Sequence, residues 1–280
     1  MTESSSTEDV FALLGNETRV ETLQVLSGAN EPLSFSEMFE LVSISDSGQF
    51  NYHLDQLIGS FVKKNDDDKY ELSYAGYRVV GAIYSGEFDS TFSLDTFSLE
   101  SQCVTCSSQI IAKYDDEAVV IICDECGIER PRFWFPPGGV KDRSAEELTH
   151  VFDQWLRDLF VLKLEGICDN CAGPMNVWLD TWGDDIHPED PICIVFECER
   201  CPEDAIMSVS SYLFIHPYVN EVYEELGMRL NDVHAWNARG LLKPDIRVVE
   251  EDPYVVEVWT QAGDETVGFK IDSSFEIQKL

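Results

Sequence analysis

Through the first ninety positions apolar residues recur at helical spacing. Val10, Phe11, Leu13 and Leu14 run up to Gly15, and Asn16 suits the N-cap of a helix reaching about residue 27, with Val20, Leu23 and Leu26 on one face. After Pro32 a short helix over 34–41 carries Phe35, Met38, Phe39 and Leu41. The polar turn 43–47 offers Asp46 or Ser47 as cap for a third helix, from 48 to about 60, whose buried stripe is Phe50, Leu54, Leu57 and Ile58. Two short β-prone runs, 61–64 and 69–72, then flank a turn of Asn65 and three aspartates, which predicts a two-stranded wing. Ser73 caps a last helix over 74–84, and its stripe of Tyr74, Tyr77, Val80 and Tyr84 suits core or dimer packing.

Residues 88–100 carry no strong helix signal and predict a linker. Beyond them, strand-like runs at 109–114 and 118–122 surround an acidic turn at 115–117. A helix from 144 to about 164 follows, with Glu146 and Glu147 in its first turn and Leu148, Phe152, Trp155, Leu159 and Leu162 as its stripe. Residues 208–215 lead to another helix, 217 to about 230. The tail alternates at 246–249, 254–259, 266–271 and 275–277, as an antiparallel meander of three or four strands would.

Composition narrows the setting. The 280 residues are 44% hydrophobic and 11% aromatic, enough for packed cores, yet 19 Lys and Arg face 53 Asp and Glu for a net charge of −34. Where the Debye length is about 3 Å or less, as in molar salt, an acidic surface hardly repels itself and stays hydrated. The chain therefore reads as an intracellular protein of an extreme halophile, and its charge does not exclude a nucleic-acid partner. Residues 1–9 are polar and acidic, unlike a signal peptide, and the longest apolar runs, such as 118–123, fall far short of the roughly 20 residues that span a bilayer. A soluble, cytoplasmic protein is expected.

The nine cysteines supply the chemistry. Eight form C-x2-C pairs: Cys103 with Cys106, Cys123 with Cys126, Cys168 with Cys171, and Cys198 with Cys201. Sixteen residues separate the first two pairs and 26 the last two. Thiolates three positions apart on a tight knuckle can face one ion, and two knuckles complete a tetrahedron, so two structural four-cysteine zinc sites are expected. Disulfides and redox-active pairs are the alternatives; a reducing cytoplasm disfavours them. Four sulfurs leave no place for water on the metal, which excludes hydrolysis there. Cys193, in an apolar β-rich run, reads as a buried small hydrophobe. His187 and Glu189 ahead of Cys198 and Cys201 superficially match a zinc-deaminase signature, but no proline precedes Cys198 and the spacing is too short. His150, His187, His216 and His234 lie scattered without a nucleophile, so no enzyme is expected. The ribbon-then-helix unit is expected to occur twice. The aromatic residues beyond 130 are read as core, with a small planar or apolar effector as the sharper option.

On the third helix, Gln49, Asn51, Tyr52, His53 and Gln56 lie off the apolar stripe, with Ser47 at its start. These are side chains that hydrogen-bond base edges and phosphates, and Lys63, Lys64 and Lys69 on the wing suit phosphates. Leu14 to Arg19 with Leu23 and Leu26, then Gly48 to Leu54 with Leu57, then Phe61 to Lys64 before the wing, resemble the winged helix-turn-helix of ArsR-type transcriptional regulators over about the first 85 residues. The resemblance implies that residues 47–57 enter the major groove and that terminal helices dimerise. The chain departs from that pattern in lacking arginines on the third helix. Residues 1–90 hold five basic and sixteen acidic side chains. As a whole the chain resembles regulators of halophilic archaea that join such a winged helix to a C-terminal zinc-ribbon region.

The expected fold is α+β: a winged helix-turn-helix DNA-binding domain at 1–87, a linker at 88–100, a first zinc ribbon plus helix at 101–166, and a second ribbon, helix and β meander at 167–280. The expected function is a homodimeric regulator that binds double-stranded DNA, with a zinc-stabilised C-terminal region that senses a small-molecule or protein effector or contacts the transcription machinery. The alternative is a protein-interaction module of the transcription apparatus without sequence-specific DNA binding.

Overall fold

The computed structural model describes residues 6–88, 94–115, 118–127, 129–141, 143–182 and 191–280. Asp116 and Glu117 of the expected acidic turn, and His187 and Glu189, lie outside them. The chain is α+β and divides into two compact units: Met1–Phe92 with Pro136–Lys141, and Ser93–Phe135 with Asp142–Leu280. Among the described residues no helix is long and apolar enough to cross a membrane.

The first unit is built on side-chain caps. Helix α1 (Thr7–Ala12) begins at Ser6 and α3 (Phe35–Leu41) at Ser34, each as a capping box closed by the acid three residues on, Asp9 and Glu37. Helix α2 (Glu17–Gly28) starts at Asn16 and α4 (Ser47–Leu57) at Asp46. Helix α4 ends three residues before the expected position because Ile58 is already extended and Gly59 takes φ +90, turning the chain into β1 (Val62–Lys64). Strand β1 pairs antiparallel with β2 (Tyr70–Leu72), Lys63 opposite Glu71, and α5 (Tyr74–Ser85) follows under a Ser73 cap. At Gly76 an added Cβ would stand 2.2 Å from the Phe61 carbonyl oxygen, so this close approach of α5 requires glycine. Leu23, Met38, Phe50, Leu54, Leu57 and Val62 are wholly buried, with Phe50 between Phe35 and Phe39 at 5.1 and 5.7 Å. On α5 only Val80 of the expected stripe enters this core; Tyr74, Tyr77 and Tyr84 are 73%, 67% and 62% exposed. The segment Pro136–Lys141 packs on the last turn of α5, where a Cβ on Gly138 would lie 2.3 Å from the Tyr84 carbonyl oxygen.

In the second unit, β3 (Phe97–Gln102), β4 (Gln109–Asp115), β5 (Ala118–Cys123) and β6 (Glu129–Trp134) form an antiparallel sheet in chain order. Strand β3 begins inside the stretch expected to be a linker. Helix α6 (Ala145–Leu164) covers this sheet, with Phe152 packed by Phe97, Phe133 and Phe135 at 6.3, 5.7 and 5.0 Å. Its buried face runs Leu148, Thr149, Phe152, Asp153, Leu156 and Lys163, and Trp155 and Leu162 are exposed instead. A second antiparallel sheet, β7 (Met175–Thr181), β8 (Ile192–Cys198) and β9 (Asp204–Ser208), leads into α7 (Val209–Ile215), α8 (Pro217–Glu225) and α9 (Ala238–Leu242). Helix α8 stops early because Gly227 at φ +79 turns the chain. The tail is the four-stranded meander β10 (Asp245–Glu251), β11 (Tyr254–Ala262), β12 (Glu265–Ile271) and β13 (Ile277–Lys279). Ile194 and Phe196 of β8, Leu213 and Phe214 of α7, and Val256, Val258 and Phe269 of the meander share one core.

Candidate metal centres and nucleic-acid interface

Each cysteine pair sits on a knuckle whose backbone is set by the strand beside it. In the first half, Cys103 N–H donates to Ser108 and Ser107 N–H to Cys103, and in the second half Cys168 to Gly173 and Ala172 to Cys168 repeat those bonds five and four residues along. Ser107 and Ala172 both take left-handed φ, 62 and 53. The strand registers repeat as well. Ile110, seven positions after Cys103, faces Cys123, and Met175, seven after Cys168, faces Cys198. Ile122 pairs with Glu129, and Glu197 with Asp204, again at equal offsets from the third cysteine. Both halves therefore run knuckle, strand, strand, knuckle, strand, then helix, which fits a duplicated unit.

Each set of four sulfurs converges, all donor atoms lying within 4.8 Å of one another. Cys103 and Cys126 are 3.9 Å apart, Cys106 and Cys123 3.4 Å, Cys168 and Cys201 3.7 Å, and Cys171 and Cys198 3.6 Å. A disulfide needs about 2.05 Å, whereas a tetrahedron with about 2.3 Å metal–sulfur bonds has edges of about 3.8 Å. None of the nine cysteines is joined in a disulfide, and each cluster is positioned to bind one metal ion. Backbone N–H groups already favour thiolate: those of Arg200 and Cys201, each 3.4 Å from the Cys198 sulfur, pull that thiol down to about 6. Burial pushes Cys171 up to about 12 and Cys168 upward too, while the Ser108 backbone N–H lowers Cys106. Cys193 is buried on β8, its thiol 3.6 Å from the Asp180 carbonyl, away from both clusters.

The surroundings of the clusters were not legible in the cysteine pattern. Lys163, in the last turn of α6, is 3% exposed and ion-pairs with both Asp169, inside the first knuckle of the second cluster, and Glu203, just after the second knuckle. Burial works against its charge, but the two carboxylates outweigh that and raise its pKa. At the first cluster the knuckle instead touches α9. A Cβ on Gly240 would come within 2.2 Å of a Val104 methyl, so the absence of a side chain there makes room for the knuckle. Trp236 and Asn237 bond the Ser101 hydroxyl at 3.1 and 3.5 Å. The signals available in the sequence were a single lysine inside an apolar stretch five residues before Cys168, and a glycine inside a short helix.

The second candidate surface is α4 with the β1–β2 hairpin. Ser47, Gln49, Asn51, Tyr52 and Gln56 are exposed opposite buried Phe50, Leu54 and Leu57, and Tyr52 is 59% exposed. Asn51 donates to Asp55 at 2.9 Å, which leaves its carbonyl oxygen uncommitted. His53 is half-buried, edge-on to Tyr52 at 5.4 Å, with a buried Nδ1 that has no hydrogen-bond partner. On the hairpin Lys63 and Lys64 are exposed and Lys69 is half-buried; Lys64 pairs with Asp68 at 2.8 Å and lies over Tyr70. Asp46 accepts from the Gln49 N–H at 2.7 Å, so a carboxylate sits at the positive end of α4.

The profile of a family described as a domain of unknown function (DUF7351) matches residues 100–277, and that of another described in the same way (DUF7347) matches residues 7–83. The first falls on the second unit and the second on the first unit. No curated protein and no solved structure matches the chain.

Proposed function

We propose, for a chain that belongs to the family described as a domain of unknown function (DUF7351), the function its own residues support: a homodimeric DNA-binding transcriptional regulator of the winged helix-turn-helix kind, scaffolded by two zinc ribbons. One observation carries this reading. Helix α4 is anchored by three fully buried side chains and turns Gln49, Tyr52 and Gln56, at i, i+3 and i+7, to the surface in one row, with Asn51 on the flank beside Asp55. Amides are the groups that bond adenine edges in pairs, and Tyr52 adds a planar contact. Lys63 and Lys64, exposed on the hairpin, support the reading as phosphate contacts of a wing.

Zinc is the ion that all-cysteine tetrahedra of this size favour, and such sites are closed. Bound zinc supplies folding free energy and no reaction. Cys103, Cys106, Cys123 and Cys126 would hold one ion and Cys168, Cys171, Cys198 and Cys201 the other. The dimer reading rests on α5: Tyr74, Tyr77 and Tyr84 are exposed, and between 74 and 85 there is no acidic residue in a chain with 53 of them.

The test is a mobility-shift and footprinting assay in high salt with Gln49→Ala, Asn51→Ala and Tyr52→Ala combined. Each paired base contact is worth about 1–3 kcal/mol, so specific affinity should fall at least about tenfold. Unchanged specific binding would remove α4 from the interface. A second reading, docking to a protein of the transcription apparatus, is favoured by Asp46 and Asp55, which put carboxylates beside the surface a phosphate would approach. That reading expects pull-down of a polymerase-associated protein by the wild type and no footprint at any salt concentration.

A further inference from the structure

Four thiolates around one divalent cation leave an excess of two negative charges, and a four-coordinate ion escapes only when its two knuckles part. How a site ties its knuckles together therefore governs how readily it yields its metal.

At the second cluster one residue does this. Lys163 reaches from α6 to Asp169, the residue after Cys168 in the first knuckle, and to Glu203, two beyond Cys201 in the second. A buried ammonium thus staples the two knuckles from outside the sulfur shell. Counted from the cysteines in the sequence, the residue matching Asp169 in the first half is Val104 and the one matching Glu203 is Ile128, so neither position offers a carboxylate. Cys106 and Cys126 are exposed there, whereas Cys171 and Cys201 are half-buried. The first knuckle leans on α9 through an aliphatic contact, Val104 on Gly240.

Resting on the metal-binding reading above, we propose that the clusters hold their ions with unequal tenacity: the Lys163 staple makes the second a permanent site, and the first exchanges its ion with thiol and chelating ligands around it. Lys163 is a positioning residue in this account. The loading state of the first cluster would bear on the Trp236–Asn237 turn, which bonds Ser101 two residues before Cys103.

The experiment uses the full-length chain loaded with zinc and an excess of a chromophoric chelator, following release against time. The wild type should release one equivalent at least about tenfold faster than the other, the weight usually carried by outer-shell partners. Cys106→Ser should abolish the fast phase alone. Glu203→Gln and Lys163→Met should each speed the slow phase by about 10- to 100-fold, and Lys163→Arg, which keeps the charge and both contacts, should leave it slow. Glu203→Gln, at a partly exposed position, decides the matter if Lys163→Met does not fold. Release of both ions in a single phase, or a slow phase that neither variant changes, would overturn the ranking while leaving two bound ions in place. A chain that binds no zinc would overturn the metal reading itself.

Discussion

At the scale of single residues, the second unit depends on polar groups buried with their partners. Asp153 on α6 accepts the Ala235 N–H at 2.6 Å and pairs with Arg157 at 2.9 Å, and Arg157 reaches the Val233 carbonyl at 2.7 Å and lies over Phe214. Asp153→Ala would strand a buried guanidinium and a backbone N–H, and thermal unfolding should register a loss of about 3–5 kcal/mol. Burial lowers the pKa of His216 and of His234, whose ring stacks on Trp236 at 4.8 Å. The folded state then binds fewer protons than the unfolded chain just below the free-histidine value of about 6.5. Stability should therefore rise with pH through that window and fall as the pH drops. His234→Gln should flatten the dependence at fixed salt; a slope equal to the wild type would assign it to other groups. Asp153 was hidden in the sequence because it occupies the buried face at helical spacing, where a pattern search counts only apolar residues.

At the scale of elements, most of the fold was legible. The starts of α2, α4 and α5 stand where Asn16, Asp46 and Ser73 put them, since a side chain that accepts a first-turn N–H marks a helix start in sequence and structure alike, and Ser34 and Ser144, expected as the first helical residues, are the caps of α3 and α6. The four cysteine pairs located both clusters because ligand geometry dictates spacing. What escaped was orientation. Of the stripe expected on α6, Leu148 and Phe152 are buried, but Trp155 and Leu162 are exposed and Leu156 is buried instead, with Thr149 and Asp153 beside it held by hydrogen bonds. The α5 tyrosines suited core or surface equally by spacing; the core filled without them because Val80 and Gly76 already bring α5 against β1 and β2. Their exposure leads to an expectation for the dimer. Tyr77→Glu with Tyr84→Glu should convert a dimer to a monomer in sedimentation without changing the helix content, and a wild type that sediments as a monomer at tens of micromolar would exclude this interface.

At the scale of the whole molecule, stabilisation is divided unequally. The first unit has its own core and contains no cysteine, whereas the second gathers all nine. Stripping metal with a chelator in mild denaturant should melt the β-rich second unit and leave the helical signal of the first, read by circular dichroism; simultaneous loss of both would mean that the first unit cannot stand alone. The −34 charge adds a second control, since self-repulsion is relieved only by counterions. The proposed function turns on whether this acidic chain reads sequence through α4. Mapping bound sites across the source genome, for the wild type and for the triple alanine variant of Gln49, Asn51 and Tyr52, measures that directly. Discrete sites sharing one sequence element, lost in the variant, are the predicted result. Absence of a shared element, or the same sites in both proteins, would contradict it.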